Sequence, residues 1–245
     1  MSSTYDVRPF GPATGSAVKF PIGPYVSAAS YFDAYTEEMA RAVKSIDPAM
    51  LERAAETLAE AYRHGAHIFS CGNGGSASVA NHMQCDHVKG IRTGTDLSPH
   101  VLSLSANVEL LTAIANDTGY ENVFVYQLQS QSGPGDVILA VSSSGRSPNI
   151  VRVLTWAREQ GLRTIAITGF DGGPARDIAE VSVHVDCTNY GIIEDLHQAI
   201  MHALAQYIRQ SRMSAESIAM TVFLVARVLW GTTIFYREAA EHREH

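Results

Sequence analysis

The chain has 245 residues, 46% of them hydrophobic and 18% charged, with a formal net charge of −7. That length buries a substantial core in one globular domain, and the acidic balance excludes nucleic acid and anionic membranes as default partners, since both demand clustered lysine and arginine. Three cysteines, Cys71, Cys85 and Cys187, fall at unrelated spacings, giving neither a disulfide framework nor a C-x-x-C metal site and suiting a reducing cytoplasm.

Residues 1–24 hold no charged segment followed by an apolar run, so an extended or disordered arm is expected there rather than a signal peptide. The body spans 25–212, and 213–245 is expected as a C-terminal helical extension. Within it, 217–236 is apolar enough to raise the question of a membrane span, but Arg227 sits in the middle and Gly231 follows. A helix packed on the protein or on another subunit is the expectation, with no membrane partner.

Helical spacing covers 31–45, and Asp47-Pro48 supplies a cap and a first-turn proline for a helix to His64. His67-Ile68-Phe69 begins a strand that runs into Ser70-Cys71-Gly72-Asn73-Gly74-Gly75-Ser76. Three glycines in four positions indicate positive φ or very close approach to a ligand. The loop has neither the spacing of a dinucleotide fingerprint nor the lysine of a P-loop. A helix follows from 77 to 89, then a short strand over 101–104, a helix over 109–115 ending near Asn116-Asp117, and another over 120–131 stopped by Gly133-Pro134-Gly135.

The strand predicted over 136–141 leads into Ser142-Ser143-Ser144-Gly145-Arg146-Ser147 and a helix over 149–160. A hydroxyl-rich turn between a buried strand and a helix start is a phosphate cradle, because unpaired N–H groups and the positive end of the helix dipole meet there. An ordinary turn is the alternative for one such loop taken alone. Two strand–polar loop–helix units imply a parallel α/β sheet with ligands outside the carboxyl ends of its strands, so both loops are expected to face one pocket. A strand over 164–168, a Gly-Phe-Asp-Gly-Gly turn, a strand over 181–185 and a helix over 191–209 complete the body.

His82 and Asp86, four apart on one predicted helix, share a face, while Glu194 and His202, eight apart on another, lie about 80° apart around its axis. A histidine and a carboxylate from each of two helices suit a divalent transition metal such as zinc. A solvated surface pair is the alternative, since nothing local shows that the helices meet. Asn73, Asn116 and Asp117 sit where a strand or helix gives way to a loop, which makes them candidates for sugar hydroxyl contacts. His87 and His197 lie beside the two pairs without a role that spacing assigns.

The loop 70–76, the block Leu111-Thr112-Ala113-Ile114-Ala115-Asn116-Asp117, the loop 142–147 and Ile167-Thr168-Gly169-Phe170-Asp171-Gly172-Gly173 together resemble sugar isomerase (SIS) domains, and more narrowly the D-sedoheptulose 7-phosphate (phosphoheptose) isomerases. The likeness spans roughly residues 30–210. It implies a three-layer, flavodoxin-like α/β fold with a parallel sheet and extra N-terminal helices. It also implies a sugar-phosphate substrate and a homotetramer with sites at subunit interfaces. By the resemblance, Ser142, Ser143, Ser144 and Ser147 hold the phosphate, and Asn73, Gly74 and Ser76 contact the sugar. His82, Asp86, Glu194 and His202 hold zinc, with Asp86, Glu194 and His202 as the acid–base candidates. Asp86 stands where the family has Glu and Glu194 where it has Gln, while a substrate-contacting acidic position falls on Gly191. A second reading stays open, a non-catalytic SIS module that binds a phosphosugar or a protein partner, similar to a replication-initiation regulator.

Overall fold

The computed structural model describes residues 20–218. Most of the expected arm over 1–24 and of the expected extension over 213–245 lies outside the described residues, as does nearly all of the apolar run 217–236. Among the described residues, no helix is long and apolar enough to cross a membrane.

Two helices come first, α1 (Ala28–Val43) and α2 (Pro48–His64). Asp47 accepts from the Ala49 N–H at the start of α2, and Gly65 ends it at φ 67°, the left-handed conformation that glycine adopts without a Cβ penalty. Strands β1 (His67–Gly72), β2 (His100–Ser103), β3 (Val137–Ser142), β4 (Arg163–Thr168) and β5 (Val181–His184) form one sheet in the order β2-β1-β3-β4-β5. Every pairing is parallel.

Between the strands run α3 (Gly75–Cys85), α4 (Val108–Thr118), α5 (Val125–Gln131), α6 (Pro148–Glu159) and α7 (Gly173–Ile178), and α8 (Tyr190–Ser211) follows β5. Helix α3 runs straight into a π-helical turn, Asp86–Ile91. The predicted helix over 120–131 is divided, with a 3-10 turn at Tyr120–Asn122 ahead of α5. The break falls where Val123 and Phe124 turn fully into the core.

Parallel strands covered on both faces are apolar throughout, and every residue of β3 is buried. Val137, Leu139 and Val141 point into an apolar layer shared with α2, α3 and α8, while Ile138 and Ala140 point into one shared with α4, α5 and α6. This is the three-layer architecture expected from the sequence. Strand order reverses between β1 and β3, so the loops leaving their carboxyl ends diverge and open a crevice.

Candidate functional site

Both motif loops lie at that crevice. Asn73, Ser76, Ser142, Ser143, Ser144, Arg146, Ser147, Pro148, Tyr190 and Glu194 line a pocket of about 330 Å³. The helices that begin here, α3 and α6, have no side-chain cap, whereas α2, α4 and α8 are capped by Asp47, Asn107 and Asn189. Helix starts left without a side-chain acceptor are suited to an anion. The Ser143 hydroxyl is buried without a protein partner.

Glycines make the loops fit. Gly145 has φ 62°, and a Cβ there would overlap the Gly172 carbonyl; its own carbonyl accepts from the Ala175 N–H at 3.1 Å. The serine loop is thereby pressed against the 169–173 turn, where Arg146 pairs with Asp171. A Cβ on Gly75 would overlap the Glu194 carboxylate, so the first turn of α3 packs on α8 only through a bare backbone.

The pocket floor is polar and braced. The side-chain amides of Asn73 and Asn149 bond reciprocally at 2.9 Å in each direction, and the Tyr120 hydroxyl donates to Asn73 Oδ1 at 3.0 Å. Asn116 and Asp117 do not line this pocket. They lie in the last turn of α4 rather than at a loop edge, and Asn116 Nδ2 donates to Asp117 Oδ1 at 2.8 Å. Gly74 caps α3 at φ 55° and is likewise outside the lining.

The second half of the site sits farther along α8. His82, Asp86 and His202 place ligand atoms within 4.8 Å of one another. Asp86 Oδ2 accepts from His202 Nδ1 at 2.6 Å, its Oδ1 lies 3.3 Å from His82 Nε2, and Gln198 Nε2 stands 2.9 Å from His202 Nε2. A neutral imidazole that donates from Nδ1 and accepts at Nε2 satisfies this chain of contacts. Two imidazoles and a carboxylate are a donor set that suits a divalent cation with an open position for substrate. Glu194 is not brought into this group; its carboxylate is in the serine-loop pocket.

Two buried histidines flank the machinery. Burial pushes His87 down to about 4, where it pairs with the Tyr62 hydroxyl. Burial likewise lowers His197 to about 4, and neither of its ring nitrogens has a partner within hydrogen-bond geometry. Gly191, at the position where the resemblance implies an acidic side chain, would put a Cβ 3.1 Å from the Tyr35 hydroxyl. That hydroxyl donates to Asp195 at 2.6 Å, and the pair leaves a larger side chain little room.

Sequence reasoning missed Gln198, Tyr190 and Arg146 as site residues. Gln198 precedes His202 by one helical turn and Arg146 lies inside the serine motif, so spacing carried a signal for both. Tyr190 had none until α8 was known to begin there.

Residues 30–169 match the SIS domain family. The chain is 33% identical over 177 residues to the phosphoheptose isomerase of Geobacter sp. strain M21, covering 72% of this chain and 91% of that one. It is 35% identical over 162 residues to that of Akkermansia muciniphila, covering 65% and 84%. Among solved structures, the phosphoheptose isomerase of Neisseria gonorrhoeae superposes with a TM-score of 0.69 at 28% identity, covering 75% of this chain and all of that one (100%). With its parallel sheet, its two loops at the strand-order reversal and these relatives, the chain belongs to the SIS domain family and, within it, to the phosphoheptose isomerases.

Proposed function

We propose that this chain interconverts sedoheptulose 7-phosphate and an aldoheptose 7-phosphate through an enediol. The observation that carries the reading is one helix, α8, serving two sites: it borders an uncapped serine cradle at its start and presents His202 to Asp86 two turns beyond Glu194. Hydroxyls of Ser142, Ser143, Ser144 and Ser147, with neighbouring N–H groups, receive the phosphate. Binding energy remote from the reacting carbons then positions the carbonyl end.

Asp86 takes the proton from the carbon beside the carbonyl, giving the enediol. His202 moves the hydroxyl proton between the two oxygens, and Asp86 returns the first proton to the neighbouring carbon. Glu194 is the rival base, placed against the sugar in the serine pocket. His82, Asp86 and His202 would hold the metal, for which zinc suits the nitrogen-rich donor set, and Glu194 would complete the set only by swinging out of its pocket. Held there, such an ion would supply polarisation of the substrate carbonyl.

A homotetramer is proposed on the same family likeness and on apolar side chains left in solvent at the N-terminal end, Ile22 at 77%, Val26 at 98% and Phe32 at 64% exposure. Light scattering on the purified chain checks it. Three unpaired cysteines support a cytoplasmic setting. The deciding experiment is deuterium exchange from solvent into sedoheptulose 7-phosphate, followed by NMR with and without chelator. Exchange that chelator abolishes is expected. No exchange with any five- to seven-carbon sugar phosphate, together with no bound metal, would overturn the isomerase reading in favour of a binding module.

A further inference from the structure

We infer that Tyr190 is a stacking platform for the carbon–hydrogen face of the bound sugar and sets how well longer sugar chains are held; this rests on the isomerase reading of the same pocket. Tyr190 is the one aromatic side chain among the described residues that line the 330 Å³ pocket. It is the first residue of α8, fixed by the Asn189 cap, whose side chain accepts from the Ile192 N–H. Glu194 follows one turn later on the same face and lines the same pocket.

The ring is braced from behind. Phe170 packs edge-on against Tyr190 with ring centroids 4.7 Å apart and planes at 64°. Among the described residues, Phe170 is the one non-glycine with positive φ, at 48°. Bulky side chains resist that conformation, and such strain persists where the surroundings over-determine it. Here they do. The Phe170 N–H donates to the Cys187 carbonyl at 3.0 Å, and Ile193 fills the space where any side chain on Gly169 would go. The result is a half-exposed tyrosine, at 46% exposure, held rigid by a neighbour in an unfavourable backbone state.

The other lining groups are chiefly hydroxyl and amide, Asn73, Ser76 and the serines of the 142–147 loop, with the Arg146 guanidinium and the Pro148 ring among them. A polyhydroxylated chain has both kinds of surface. Its hydroxyls suit the serine and asparagine wall, and its C–H edges suit the face of an aromatic ring. A phosphate anchored in the cradle leaves the carbons nearest it beside Tyr190, so the platform grips the sugar and not the anion.

The test uses the full chain with Tyr190→Ala and Tyr190→Phe. Tyr190→Ala is expected to raise KM for sedoheptulose 7-phosphate roughly tenfold with kcat little changed, while Tyr190→Phe restores most of the affinity. Affinity for inorganic phosphate should not move in either variant. Bound glucitol 6-phosphate, a reduced sugar phosphate that cannot isomerise, should show upfield ring-current shifts of its C–H protons with wild type and Tyr190→Phe, and none with Tyr190→Ala.

Unchanged KM in Tyr190→Ala, equal losses in both variants, or a parallel loss of inorganic phosphate would each overturn the proposal. The second result would mark a hydroxyl contact and the third a role in building the cradle. If wild type shows no turnover, the isomerase reading fails by itself, and the ring-current shifts still decide whether Tyr190 stacks on the sugar.

Discussion

The serine-loop pocket and the His82–Asp86–His202 group both draw on α3 and α8 but are made in opposite ways. The pocket is built mainly from hydroxyls, amides and backbone at the carboxyl ends of β1 and β3, with Arg146, already paired to Asp171, and Glu194 in its wall and with glycines allowing the loops to touch. The histidine–carboxylate group is built from ionisable side chains on two helices that meet only because α3 packs on α8. On the proposed reading the first receives an anion beside a guanidinium, Arg146, that Asp171 already engages, while the second serves proton transfer and a cation. Binding and chemistry are thus open to separate attack.

The largest separation is expected from His202→Ala. Loss of a proton-relay group should lower kcat by about 10²–10⁴-fold and leave affinity for inorganic phosphate unchanged, which isothermal titration alongside the turnover assay would establish. A matching loss of phosphate affinity would mean that the halves are one unit.

His197 lies on α8 between them, fully buried and neutral. Burial lowers it to about 4 from an ordinary 6.5, so an unfolded chain takes up a proton below pH 6.5 that the folded chain refuses until about pH 4. Stability should therefore fall as pH drops through that window, by up to about 3 kcal/mol from this group. Urea denaturation from pH 7 to pH 4 tests it. His197→Leu should flatten the slope, with the similarly depressed His87 supplying what remains.

Ser143→Ala should act on the binding half alone. The hydroxyl has no protein partner to lose, so the melting temperature should hold while KM for the sugar phosphate rises about tenfold, the worth of one hydrogen bond to a charged group. The smallest effect falls to Glu194→Gln. Removing a carboxylate from the wall of the phosphate pocket should tighten phosphate binding by about two- to fivefold at low salt, less at high salt. Loss of bound metal in that variant, read by elemental analysis, would move Glu194 to the other half.

The two halves also differed in what their residues announced. The serine and glycine loops are local chemistry, so strand, loop and helix start were legible together, and the parallel sheet followed from them. His82 and Asp86 share a face by spacing alone, but only packing shows that Asp86 meets His202 rather than Glu194. The predicted helix over 109–115 ends near Asn116-Asp117, whereas α4 runs on through both to Thr118, so their side chains stand on its last turn. Helix α7 is six residues opened by Gly173-Pro174, too short for any periodicity to show, and it forms by packing Ala175 beneath the serine loop.

The two loops of the cradle come from strands far apart in the chain, joined where Ile68 pairs with Val137. Until β3 docks beside β1 there is a serine turn and a glycine turn but no pocket, so affinity for phosphate comes into being only as the centre of the sheet closes. A ligand held across both loops is in turn a rivet through that closure: it draws its stabilising effect from the strand pairing with the greatest separation along the chain rather than from the helix it touches.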